Sequence, residues 1–157
     1  MAERERDRTG KPLNARPRDG LGRPLARGAE GVPRIPDDVQ LPPDESLTEA
    51  QRLLDHNMPF HAHEILEGTW KIADEDEREL WQGLAQLAVG LTHLLRGNNS
   101  GAITLLQRGH DRIRHYEQQP PHLIDVSGLM TWADHLVLEV ERGADLSTVP
   151  IPRLRIP

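Results

Sequence analysis

Apolar positions follow a helical period from about residue 46 to residue 142, and no segment shows convincing strand alternation. The first stripe is Leu47, Ala50, Leu53 and Leu54. Ser46-Leu47-Thr48-Glu49 has capping-box spacing, so the pattern predicts a helix starting near Ser46 and ending by His56-Asn57, before Pro59. A second helix is predicted from Pro59 to Ala73, with Pro59 in its first turn. The acidic run Asp74-Glu75-Asp76-Glu77 connects it to a third, from Glu77 to Arg96, whose buried stripe is Leu80, Leu84, Leu87, Leu91 and Leu94. Gly97-Asn98 stops that helix, and Asn99 or Ser100 caps a fourth, Gly101 to Tyr116, with Ala102, Leu105, Leu106, Gly109 and Ile113 inward. The short turn makes helices three and four antiparallel neighbours. Gln118-Gln119-Pro120-Pro121 breaks the chain. A fifth helix, Val126 to Arg142, turns Leu129, Trp132, Ala133, Leu136, Val137 and Val140 inward.

The expected fold is therefore all-α, a compact bundle of about five helices spanning 44–143. Residues 1–43 form an arm rich in Arg, Gly and Pro, with isolated apolar residues and no period. Such a segment buries too little surface to offset its ordering entropy, so it is expected to be extended or disordered. Residues 144–157 read as an extended Pro-rich tail.

Composition divides the chain in the same way. Hydrophobic residues make up 36% of the 157, below the usual globular share. Residues 1–40 carry nine of the 19 Lys+Arg and seven of the 25 Asp+Glu. The rest holds 10 basic and 18 acidic residues, a balance of −8 that repels phosphates. Nucleic acid is thus not an expected partner. With no cysteine, thiolate catalysis, disulfides and Cys-ligated metals are excluded, and a cytoplasmic location fits. No secretory h-region is seen, and the apolar run Leu84 to Leu95 is too short and too polar to span a membrane.

Candidate chemistry concentrates in helix two. Phe60, His63, Glu67 and Trp70 share one face, read as core-facing, with Glu64 beside Glu67 and His61 turned outward to solvent. On helix three, Gln82, Gln86, Val89 and His93 flank the leucine stripe. Antiparallel packing of the two helices brings His63 and Glu67 toward Gln86 and His93 in a polar pocket with Trp70 as its lid. Two accounts of this cluster remain open at the level of sequence. In one it is a buried hydrogen-bond network that fixes helix register. In the other it is a site. The metal version of a site uses His63, Glu67 and His93 as ligands to a divalent ion, with Glu64 as the base. A zincin helix needs His at position 67, however, and paired Glu-x-x-His is absent. His56, His110, His115, His122 and His135 lack ligand spacing and read as surface residues, and Trp81 and Trp132 read as core.

The run from Phe60 to Trp70, then Trp81-Gln82-Gly83-Leu84-Ala85-Gln86-Leu87-Ala88, then His93 to Gly97-Asn98 and Gly101-Ala102, resembles the domain-of-unknown-function 309 family over about residues 47–110. The resemblance implies a small all-helical domain with no established activity. By motif position it singles out His63, Glu64, Glu67, Trp70, Gln82, Gln86 and His93. Gly68-Thr69 departs from the more usual acidic–apolar pair before the tryptophan. Gly90, Ala102, Leu106 and Gly109 around the Gly97 turn also resemble one tetratricopeptide-type helical pair, although a single unit makes no repeat array.

The leading expectation is a non-catalytic binding module without a cofactor, using the pocket between helices two and three. Its partner is a protein, a second copy of itself or a small polar ligand. The alternative is a metal-dependent hydrolase built on the His-Glu-x-x-Glu helix.

Overall fold

A computed structural model describes residues 39–146 and 148–157. Of the arm expected to be extended or disordered over residues 1–43, residues 1–38 lie outside the described residues, while Val39 and Leu41 pack against the core and Pro43 already opens a helix. Five α-helices follow in order: α1 Pro43–Asp55, α2 Pro59–Ile72, α3 Arg78–Leu95, α4 Asn99–Ile113 and α5 Val126–Glu141. Short 3-10 turns, Glu75–Glu77, Arg114–Tyr116 and Pro121–Leu123, sit in the connections. Among the described residues there is no strand, only a single antiparallel bridge between Ile124 and Arg155. Consecutive helices pack on one another, with α3 at the centre between α2 and α4.

The expected start of α1 is corrected. The helix begins at Pro43, one turn before Ser46, and no side chain caps it. Pro43 supplies the fixed φ of a first turn, and Asp44 and Glu45 favour that end electrostatically. Ser46 N donates to Pro42 O at 2.9 Å, so Ser46 lies inside the helix. Its Oγ is buried without a partner among the described residues. The α4 cap is also one residue earlier than expected. Asn98 Oδ1 accepts from Gly101 N at 3.2 Å.

The leucines of α3 lie in the core as expected, together with Trp81, Leu106 and Ile113. Small residues let α3 and α4 approach closely. A Cβ at Gly90 would press on Leu106, and one at Gly109 would meet the Gly83 carbonyl and Leu87. Of the α5 residues expected inward, Trp132 is only half-buried, and its Nε1 donates to Pro150 O at 2.8 Å.

The tail packs back on the body. Leu154 is buried and its carbonyl accepts from Asp125 N at 2.8 Å. Gln51 of α1 holds the same stretch from the other side, donating to Pro152 O at 3.0 Å and accepting from Leu154 N at 2.9 Å.

Candidate functional site

Helix α2 lies between α1 and α3, so two of its faces are covered. This overturns two expectations. The face toward the core carries Ala62, Ile65, Leu66 and Thr69, and also His61, which is fully buried rather than exposed. Phe60, His63, Glu67 and Trp70 are half-buried and turn toward the side of α3 instead of the core.

There α2 and α3 enclose a groove of about 190 Å³. His63, Glu67 and Trp70 line it from α2, and Gln82, Ala85, Gln86 and Val89 from α3. Five of the seven residues singled out by sequence thus share one cavity. Glu64 and His93 are not among its lining residues. Glu64 faces the other way, with Oε1 3.1 Å from Nδ1 of the buried His61. A carboxylate only accepts, so His61 donates from Nδ1, and its buried Nε2 has no partner among the described residues.

His93 belongs to the α3–α4 turn. Asn98 uses its Oδ1 to cap α4, leaving its Nδ2 to donate to His93 Nδ1 at 3.1 Å. That contact requires an unprotonated Nδ1. Burial, then the nearby Arg96 charge, hold the His93 pKa below its ordinary value, which agrees with a neutral ring. Among the described residues no group of three His, Asp or Glu side chains is placed to hold a metal ion. The trio His63, Glu67 and His93 is not assembled, because His93 is engaged by Asn98 away from the groove.

In the groove, His63 sits between two oxygens. Nδ1 is 3.0 Å from Phe60 O and Nε2 is 2.9 Å from Glu67 Oε2. A carbonyl accepts, so Nδ1 donates and fixes the ring. The second contact also needs a proton, carried either by the ring or by Glu67. In both forms the pair is neutral overall and shares one proton. The Phe60 ring packs against His63 with centroids 5.2 Å apart. At the other end Arg78 Cζ lies 4.8 Å from the centre of the Trp70 ring, a cation–π contact.

Across the groove, Gln86 Oε1 accepts from Arg112 Nε at 3.0 Å, and Arg112 Nη1 is 2.9 Å from Glu79 Oε1. The sequence reading missed Arg112 and Arg78. Arg112 follows from the α3–α4 register, in which a Cβ on Gly83 would meet Ile113 and Arg112. Counting outward from Gly97 gives that register to within a turn.

Two histidines expected at the surface also make contacts. His122 Nε2 is 2.8 Å from Glu77 Oε1, the oxygen that accepts from Trp81 Nε1 at 3.2 Å. His110 lies between Asp111 and Asp134, at 3.0 and 3.3 Å.

No curated protein and no solved structure matches the chain. The groove-lining residues all fall within one matched segment, which runs from α1 into α4. The likeness carried by the three motifs is shown there: residues 47–105 match the model of the family described as Domain of unknown function (DUF309).

Proposed function

We propose that the chain is a non-catalytic binding domain whose site is the groove between α2 and α3. The observation that carries this is the character of the walls. Trp70, Ala85 and Val89 offer an apolar surface, and Gln82, Gln86 and the His63–Glu67 pair place polar groups around it. An apolar cleft with a few converging polar groups is the usual form of a small-molecule site. A volume of about 190 Å³ is below the range of about 300–1,000 Å³ for drug-sized ligands, which favours a small ligand over a protein partner. No helix among the described residues is long and apolar enough to cross a membrane. Together with the lack of cysteine, a cytoplasmic setting is the natural one for this domain.

The test is a set of single-ring fragments titrated into isotope-labelled full-length protein. Saturable shifts at the Trp70 indole and at the Gln82 and Gln86 side-chain amides are expected, with Trp81 and Trp132 unmoved. Shifts confined to another surface, or none at all, would remove the groove from consideration.

A further inference from the structure

The hydrogen-bond inventory around Gln86 indicates what kind of ligand the groove prefers. Arginine has donors only, so Gln86 must present its carbonyl oxygen to Arg112. Flipping the amide would set an N–H₂ group against a guanidinium. Glu79 braces the guanidinium from its other side. The Gln86 N–H₂ is the end left over, and no described protein group accepts from it.

Of the other polar groups, the Gln82 amide can donate or accept and adds no preference of its own. The His63–Glu67 pair is neutral in either protonation form and its facing atoms are occupied by each other. Arg78 does not line the groove, but it places a positive charge beside the Trp70 ring. At Gln86 an incoming acceptor or anion therefore meets an unengaged donor, whereas an incoming ammonium group meets no free carbonyl there.

We propose, resting on the groove as the binding site, that its ligand is a small carboxylic acid with an apolar body about one ring in size. The carboxylate accepts from the Gln86 N–H₂, and the body lies against Trp70, Ala85 and Val89. Arg112 is a positioning residue that sets this polarity without touching the ligand.

The experiment compares benzoate, benzamide and benzylamine, nearly equal in shape, as probes of the full-length protein at fixed pH and salt. Benzoate is expected to bind at least about tenfold tighter than benzylamine, with benzamide between them. Gln86→Leu is expected to weaken benzoate by about tenfold. Gln86→Glu keeps an acceptor for Arg112 and is expected to reverse the preference toward benzylamine. It also serves if the leucine variant does not fold. Arg112→Met is expected to bring the benzoate-to-benzylamine ratio toward one, whereas a merely structural role would weaken all three probes equally. Benzylamine binding as tightly as benzoate overturns the ligand class and leaves the groove standing. If none of the three gives saturable shifts at the groove, the site and the ligand class fail together.

Discussion

The carbonyl oxygen of Val39 rests against Gly68 more closely than any side chain at that position allows. Beside it Thr69 Oγ1 donates to Leu41 O at 2.7 Å. Gly68 and Thr69 are the pair at which this chain departs from the acidic–apolar pair of the family it resembles. Their role is local: the glycine gives the backbone of 39–40 room to reach α2, and the threonine ties down Leu41.

Gly68→Ala separates helix propensity from this contact. Propensity alone predicts a gain of about 1 kcal/mol for alanine inside a helix. The clash is with backbone, which cannot swing aside, and overpacking costs about 1–3 kcal/mol. Urea unfolding is expected to show a net loss of stability. A gain of about 1 kcal/mol would mean that 39–42 does not sit on α2.

The His93–Asn98 contact gives stability a pH dependence. His93 is held below its ordinary value of 6.5 by burial and then by Arg96, so the folded state favours the neutral ring. The unfolded chain binds the proton more readily between the two pKa values. The contribution is therefore complete above about pH 6.5 and is lost as pH falls through the lowered folded value. His93→Gln retains an acceptor for Asn98 and does not titrate. Its unfolding free energy is expected to fall less steeply on acidification below pH 6.5, and identical slopes for the two proteins would contradict the assignment.

The tail contributes to the core. Leu154 is 4% exposed, and its backbone is held by Gln51 and Asp125. Leu154→Ala is expected to cost about 2–4 kcal/mol, and Gln51→Ala about 1 kcal/mol. Amide exchange at Leu154 should quicken in the Gln51 variant, since its N–H loses its acceptor. A chain ending at residue 146 with unchanged stability would show that the tail is dispensable.

The helices were legible because burial imposes a period on the sequence, and the leucines of α3 declare it plainly. The groove was partly legible for the same reason: His63, Glu67 and Trp70 on one helix and Gln82 and Gln86 on the next lie on facing stripes. Errors arose where one residue had two local options. Ser46 looked like a cap, but Pro43 starts the helix earlier. His61 and Glu64 were misplaced because α2 is covered on two faces, and a single-face reading cannot show this. His93 continued the polar stripe of α3, yet its position in the last turn delivered it to the Asn98 cap. Arg112 needed the α3–α4 register counted outward from Gly97, and the docking of the tail depends on contacts between segments far apart in sequence, which helical periodicity does not encode.

The central claim is that His63 and Glu67 form the wall of a site and are not a brace of the fold. Leu66 and Glu67 are adjacent on α2, one fully buried and the other facing the groove with a side chain 25% exposed. The His63 side chain is 18% exposed. The most direct measurement is the unfolding free energy of Leu66→Ala, Glu67→Ala and His63→Ala side by side. Leu66→Ala is expected to lose about 2–5 kcal/mol. Glu67→Ala and His63→Ala are each expected to lose less than about 1 kcal/mol, as for partly solvated pairs. A loss at Glu67 or His63 as large as that at Leu66 would contradict the account and make the pair a structural brace.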